Sequence, residues 1–329
     1  MNDNDGDNIY YNFIYYNNTL VDQPAIINQV RTQNIVSDPT KYKMAIMRYS
    51  VPSVNIPMIN KFPENYYYVK MNWDNASTQV YLTHIPNQNP DLGRIWSYQE
   101  FIDTVNNALK QCYNQLLVLK PLLPQTVPPF LYINVATEKI ELYFQTSYDS
   151  SIANNTQVIF NNHLYYKMPS IKSYANALDE SFTILVHNNI LNLKTIGIIN
   201  YYIVYQESKQ LFLISDFSSL IFESDKMTTR SELLGIQSGT NNNKTFKIIS
   251  DFKQNDATND RSPIVFYPQG PLRFIDLTNN SELREMDLRV SWTTSSAEEP
   301  HLVYIPPGTT LSMKLLFRKI NPDGTFNYT

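Results

Sequence analysis

Two stretches near the end of the chain decide its fold: Met286-Asp-Leu-Arg-Val-Ser-Trp292 and Leu311-Ser-Met-Lys-Leu-Leu-Phe317. Apolar and polar side chains alternate along both, and a period of two is typical of a β-strand that buries one face. We therefore expect one hydrophobic core to contain Met286, Leu288, Val290, Trp292, Leu311, Met313, Leu315 and Phe317. No group between them is arranged for chemistry, which indicates a building block rather than a catalyst.

A turn is predicted just before the second stretch. Pro306-Pro-Gly308 suits a four-residue turn, because proline fixes φ at the second position and glycine accepts a positive φ at the third. We expect this turn to link two strands of one sheet.

The rest of the chain contains many short strand-like segments and one convincing helix. The helix begins at Ser97-Tyr-Gln-Glu100, which fits a capping box, and it ends before Pro121. Apolar residues at helical spacing lie between these limits. Segments rich in proline and asparagine separate the strand-like segments. These features predict a mainly β chain of the sandwich or jelly-roll kind.

The composition excludes several kinds of site. The 329 residues include a single cysteine, Cys112, which rules out an internal disulfide and a multi-cysteine zinc site and fits a reducing compartment. The four histidines are too far apart in sequence for metal-ligand spacing. The net charge is −4, whereas nucleic-acid binding normally leaves a basic footprint. We therefore expect no metal, no cofactor and no direct nucleic-acid partner.

The polar surface is expected to be mostly uncharged. Charged residues make up only 17% of the chain, while 24 tyrosines supply large, half-polar side chains. Such a surface can bury a protein contact without desolvating many charges. The nucleotide bias of an AT-rich genome explains the composition equally well. No apolar run reaches roughly 18 residues, so no transmembrane segment is expected.

Sequence motifs for catalysis are absent. The chain has neither a Gly-x-Ser-x-Gly elbow nor a glycine-rich phosphate loop. Glu285 and Asp287 occupy the polar side of a predicted strand, so we interpret them as a solvated or interface face. Cys112 falls on the apolar stripe of the helix and is interpreted as a core residue. We expect no catalytic residues and no enzymatic activity.

Residues 264–320 resemble the minor capsid, or penton, proteins of the virophage and Polinton-like branch of the double-jelly-roll icosahedral dsDNA viruses. The resemblance rests on Tyr267-Pro268, Leu272-Arg-Phe-Ile-Asp-Leu277, Leu283-Arg-Glu-Met-Asp-Leu-Arg-Val-Ser-Trp292, Tyr304-Ile-Pro-Pro-Gly308 and Lys314-Leu-Leu-Phe-Arg-Lys319. A weaker likeness covers the region of the helix, from Phe101 to Phe130.

The resemblance implies a single jelly-roll β-sandwich with an inserted mixed β/α domain that contains the predicted helix. With the proline-rich and polar segments taken as borders, the jelly roll comprises residues 1–75 and 256–329. The inserted upper domain comprises residues 76–255.

The function implied by the resemblance is structural. The protein would form homopentameric pentons at the fivefold vertices of an icosahedral capsid, after synthesis and assembly in the host cytoplasm. Its partners would be further copies of itself and the neighbouring major capsid protein, and a host surface receptor or glycan is a further candidate. A glycan- or receptor-binding β-sandwich module is the alternative function, since exposed aromatic side chains can stack on sugars.

Candidate contacts between subunits lie at two places. The aromatic arm near the N-terminus packs either as a strand of its own subunit or as a tail on a neighbour. Near the C-terminus, arginines lie among acidic residues, and such mixed charge fits pairing between subunits. The candidates are Tyr10, Tyr11, Phe13, Tyr15, Arg284 and Arg289.

Overall fold

The computed structural model describes residues 8–84, 93–177, 179–189, 192–209, 214–227, 232–234, 244–253, 263–267, 270–277, 282–294 and 299–321. The helices are α1 (Tyr98–Leu119) and α2 (Asn162–Lys167). The strands are, in chain order, β1 (Asn8–Tyr16), β2 (Gln23–Pro24), β3 (Ile26–Val30), β4 (Tyr42–Val51), β5 (Tyr68–Trp73), β6 (Ala76–Tyr81), β7 (Phe130–Asn134), β8 (Lys139–Gln145), β9 (Gln157–Asn161), β10 (Ser173–Asn176), β11 (Ser181–Ile184), β12 (Leu193–Ile196), β13 (Ile199–Tyr205), β14 (Phe217–Glu223), β15 (Glu232–Leu234), β16 (Lys244–Phe246), β17 (Ile248–Lys253), β18 (Ile264–Phe266), β19 (Ile275–Asp276), β20 (Glu285–Thr294), β21 (His301–Leu302), β22 (Tyr304–Ile305) and β23 (Thr310–Lys319).

The chain divides into two compact units. The terminal unit combines Met1–Ile56 with Asp216–Thr329, and the middle unit is Pro57–Ser215. Each unit has its own hydrophobic core.

The boundaries of these units differ from those predicted at 75/76 and 255/256. β5 pairs with β6 and β9, so residues 57–75 belong to the middle unit. β14 and β17 pair with each other, and β14 also pairs with β20, which places them in the terminal unit. Residue 256 itself lies outside the described residues. The proline-rich and polar segments therefore marked the borders only approximately.

The terminal unit is a jelly-roll sandwich with two antiparallel sheets. One sheet has the order β1-β23-β4-β18, with β19 also paired to β4. The other has the order β17-β14-β20-β21, with β3 also paired to β20. Apolar side chains of both sheets meet in one core, as expected for sheets that pack face to face.

The two decisive stretches form the long strands β20 and β23, one in each sheet. β23 pairs with β1 on one side and with β4 on the other. Their alternating apolar side chains are at most 3% exposed and lie in the shared core: Met286, Leu288, Val290, Trp292, Leu311, Met313, Leu315 and Phe317.

The turn before β23 has the predicted geometry but an unexpected place in the fold. Gly308 has a φ of +72°, and the amide of Thr309 donates to the Pro306 oxygen at 3.2 Å. The prediction that this turn links two strands of one sheet is wrong. The short strand β22 pairs with β2, whereas β23 lies in the five-stranded sheet. A strand of two residues carries too little sequence to reveal its partner.

The middle unit packs α1 against two sheets, with the orders β10-β11-β9-β5-β6 and β12-β13-β8-β7. The predicted helix cap is present, because the Ser97 hydroxyl accepts the Glu100 amide at 3.1 Å and the Glu100 carboxylate accepts the Trp96 amide at 2.8 Å. Cys112 is buried in this core, and burial raises the pKa of its thiol.

Candidate assembly surface

β1 forms one edge of its sheet. All nine of its residues pair with β23, from Asn8 opposite Arg318 to Tyr16 opposite Thr310. No described strand pairs with the other side of β1, whose sequence contains neither a charged residue nor a proline. Natural edge strands usually carry such residues, which discourage pairing with another chain. Among the described residues, β1 therefore presents an uncharged edge without a strand partner, where the Ile14 oxygen accepts the Gln29 side chain at 3.4 Å.

The two faces of β1 differ in exposure. Tyr11 and Phe13 are buried, whereas Tyr10, Ile14 and Tyr16 are 54%, 60% and 57% exposed. The alternation along the strand places these three exposed side chains on the outward face of the sheet. The outward face of β1 therefore carries these three aromatic or apolar side chains and the exposed Asn12, and the Lys314 ammonium group lies 4.7 Å from the centre of the Tyr10 ring.

Two of the predicted contact residues serve the core of their own subunit. The Tyr11 hydroxyl donates to Gln29 Oε1 at 2.8 Å, and Phe13 has no exposed surface. Tyr15 is half-buried against the same core. The arm is thus a strand of its own subunit, which was one of the two interpretations of the sequence. Tyr11 and Phe13 are not available to a neighbour, and Tyr10 is the exposed member of the predicted aromatic set.

The two predicted arginines have different surroundings. Arg284 donates from Nε to Asn34 Oδ1 at 2.6 Å and from Nη2 to Glu282 Oε2 at 2.5 Å. The hydrogen bond from Arg284 is the largest cause that lowers the pKa of Glu282. Arg289 is exposed and lies near Glu223, whose pKa is raised by burial and lowered to a smaller degree by Arg289. A contact of either arginine with another subunit stays a prediction.

The carboxylates on the same strand hold a neighbouring turn in place. Asp287 accepts the Ser224 hydroxyl at 2.5 Å and the amides of Asp225 and Lys226 at 2.8 and 3.0 Å. Glu285 pairs with the Lys226 ammonium group. These bonds tie the segment after β14 to β20, so both carboxylates have structural roles in this unit.

The described ranges contain neither a candidate metal cluster nor a candidate membrane-spanning helix. No group of three His, Cys, Asp or Glu side chains in this part of the chain could hold a metal ion. Neither described helix combines the length and the hydropathy that crossing a membrane requires.

The terminal unit identifies the class of protein, which is a jelly-roll protein. The polar side chains described above hold its strands and turns in place. The family model of the Sputnik minor capsid protein V18/19 matches residues 67–319, which is most of the chain. The chain belongs to this family, and the predicted resemblance to virophage minor capsid proteins is confirmed.

Individual relatives agree with the family match. The uncharacterized protein V18 of the Sputnik virophage is 25% identical over 141 residues, which cover 33% of this chain and 84% of V18. A chain of the Sputnik virophage structure determined by cryo-EM has a TM-score of 0.80 at 23% identity, with 96% of this chain and 98% of that chain covered. The crystal structure of the mavirus penton protein has a TM-score of 0.72 at 16% identity, with 95% and 99% covered. The two structures share the fold of this chain, and the family makes it a minor capsid component of the virion.

Proposed function

We propose that the chain assembles into homopentameric pentons at the fivefold vertices of an icosahedral virophage capsid, beside the major capsid protein. The observation that carries this proposal is the uncharged edge of β1, which no described strand pairs, together with the exposed Tyr10, Ile14 and Tyr16 on its outward face. Membership of the minor capsid family supports a structural role without catalysis, and a relative of the same fold is described as a penton protein. Assembly in the host cytoplasm suits a chain whose single cysteine is buried.

A ring of identical copies needs a heterologous contact, in which one surface meets a different surface of the next copy. The nine residues of β1 offer an edge about 30 Å long, at roughly 3.4 Å per residue. The backbone groups of this edge can pair with another strand or loop, although the Ile14 oxygen already accepts Gln29 Nε2 at 3.4 Å, and Tyr10, Ile14 and Tyr16 would lose their exposure to water. Obligate interfaces bury roughly 2,000–5,000 Å², so β1 forms one part of a larger contact.

The alternative function is a glycan- or receptor-binding module. The family match supports a capsid protein and gives this alternative no support for the whole chain. A surface suited to such a ligand does occur in the middle unit, and it is considered separately below.

The oligomeric state tests the proposal directly. Native mass spectrometry and negative-stain images of the purified protein should show a ring of five copies. Replacing Ile14 with glutamate places a charge on the outward face of β1, at a side chain that is 60% exposed in the single subunit. The variant should therefore fold normally and fail to assemble, because the charge would have to be desolvated in the contact.

Val135 provides the matched control. It is 81% exposed in the turn between β7 and β8 of the middle unit, and Val135→Glu should leave the pentamer intact. A wild-type protein that stays monomeric at high concentration would contradict the pentamer. An Ile14→Glu variant that still forms rings would contradict the role of β1.

A further inference from the structure

One sheet of the middle unit carries a second group of aromatic residues, outside the core. Along β8, Ile140, Leu142 and Phe144 lie in the core, so the alternating Glu141 and Tyr143 project from the opposite face. Tyrosines and a phenylalanine of the neighbouring strands join them there. We call this face the tyrosine platform, and its aromatic members are Phe130, Tyr132, Tyr143, Tyr201 and Tyr205.

The strand register places two exposed tyrosines on either side of a buried carboxylate. Glu141 of β8 lies opposite Tyr132 of β7 and opposite Tyr205 of β13. Tyr132 is 50% exposed and Tyr205 is 38% exposed, whereas Glu141 is only 5% exposed. Because neighbouring strands lie about 4.8 Å apart, the two tyrosine backbones stand roughly 10 Å apart across the sheet.

Aromatic contacts form the floor of the platform. Tyr143 stacks on Phe130 with ring centres 4.8 Å apart and an interplanar angle of 9°, and it meets Tyr201 edge-on at 6.2 Å. Tyr132 meets Tyr143 edge-on at 6.4 Å. These contacts restrict the Tyr132 ring before any ligand arrives, so little rotamer entropy is lost on binding.

Polar groups at the centre of the platform are held in fixed positions. Glu141 Oε1 accepts Asn134 Nδ2 at 2.7 Å, and Oε2 accepts the Tyr143 hydroxyl at 2.8 Å. Lys194 Nζ donates to the Tyr143 hydroxyl at 3.1 Å. Because Glu141 is only 5% exposed, these bonds fix the floor of the platform beneath the two exposed tyrosines. Burial, followed by the charge of Glu141, raises the pKa of Tyr205.

We propose that the tyrosine platform binds a carbohydrate made of β-linked pyranose units. The exposed rings of Tyr132 and Tyr205 stack on the apolar C–H faces of two sugar rings, while their hydroxyls and the exposed Lys194 ammonium group bond to sugar hydroxyls. A β-linked chain extends as a flat ribbon, which matches two aromatic rings on a flat sheet. Apolar stacking surfaces with a few fixed polar groups are what a small-molecule site requires.

A second copy of this chain is the other occupant that such a surface could take. The centres of protein interfaces are depleted of charged residues, however, and the platform has Glu141 at its centre with Lys194 beside Tyr143. Sugar hydroxyls can bond to the exposed Lys194 ammonium group, which a dry protein contact would leave desolvated. The proposed carbohydrate binding does not depend on the pentamer. Five linked copies would only raise the overall avidity for a carbohydrate that each copy binds weakly.

Isothermal titration calorimetry with soluble hexasaccharides tests the proposal. Cellohexaose and chitohexaose supply β-linked chains, and maltohexaose supplies an α-linked chain of the same length. We expect a β-linked probe to bind about tenfold more tightly than maltohexaose. Tyr132→Ala and Tyr205→Ala should each weaken binding about tenfold, whereas Tyr132→Phe keeps the stacking ring and should stay within about twofold of the wild type.

Tyr174→Ala is the matched control, because Tyr174 is 43% exposed on β10 of the other sheet. The proposal is overturned if neither β-linked probe binds at millimolar concentration, or if Tyr174→Ala weakens binding as much as Tyr132→Ala. It is also overturned if the two platform variants dissociate the oligomer in native mass spectrometry, since a second copy would then be the occupant. That last outcome would leave the proposed pentamer standing.

Discussion

Asn17 connects the end of β1 to the turn that precedes β23. Its side chain is fully buried, and Nδ2 donates to the Ile305 oxygen at 2.7 Å and to the Val21 oxygen at 2.9 Å. Its Oδ1 accepts the Thr19 amide at 3.0 Å. One amide side chain therefore satisfies three backbone groups of the terminal unit, one in β22 and two in the loop after β1.

Replacing Asn17 with alanine should destabilise the terminal unit by about 2–4 kcal/mol. The Ile305 oxygen is buried with its partner, and a buried acceptor left without a donor costs roughly 1–3 kcal/mol. The bonds to Val21 and Thr19 are only partly buried, so water can replace them at about 0.5 kcal/mol each. With an m-value of about 2–3 kcal/mol/M, the urea midpoint should fall by roughly 1 M.

Tryptophan fluorescence can report on the terminal unit alone. Trp292 lies in its core, and the other two tryptophans, Trp73 and Trp96, lie in the middle unit and can be replaced by phenylalanine. The neighbouring Asn18 is exposed, so Asn18→Ala should change the free energy of unfolding by no more than about 0.5 kcal/mol. Equal midpoints for the two alanine variants would refute the assigned role of Asn17.

Two further predictions concern backbone conformation and pH. Gly308→Ala should lower the free energy of unfolding in urea by about 1–2 kcal/mol. No atom lies within 4 Å of the added Cβ, but a φ of +72° disfavours any residue with a side chain. Gly270 has no positive φ, so Gly270→Ala should lower the free energy of unfolding less. Burial raises the pKa of Glu223, so its contribution to stability is present below the unfolded-state pKa and is lost as pH rises through the folded-state pKa. In Glu223→Gln, the free energy of unfolding should therefore fall less steeply between acidic and neutral pH than in the wild type. Urea unfolding of both proteins over this pH range measures the difference, and equal slopes would contradict the prediction.

The core of the terminal unit was predictable from β20 and β23 because each strand contrasts apolar with polar side chains. The same argument fails for β1. Residues Tyr10 to Tyr16 are aromatic or apolar except for Asn12, so the sequence contrast between the buried and the exposed face is weak. Only the pairing of β1 with β23 decides that Tyr11 and Phe13 point inward.

The borders of the two units were harder to predict for a related reason. Alternation shows that a segment is a strand, but not which sheet it joins. β5 and β14 have similar lengths and are both more than half aromatic or aliphatic, yet β5 pairs within the middle unit and β14 pairs with β20. The helix α2 escaped prediction because its six residues are too few to establish a helical period. The tyrosine platform was also missed, since its members lie on three strands and only the register brings them together.

Asn17 also links the stability of the fold to the proposed assembly. Its backbone amide donates to the Thr309 oxygen at 3.0 Å, directly beyond the last pair of β1 and β23, and its side chain fixes the segment that follows β1. If β1 is the contact edge, loosening its end should raise the entropy that each contact must overcome. Asn17→Ala pentamers should then dissociate at higher protein concentration than Asn18→Ala pentamers, under conditions in which Trp292 fluorescence shows both to be folded. Equal dissociation would mean that the contact lies elsewhere on the terminal unit or that β1 is held firmly enough by β23 alone.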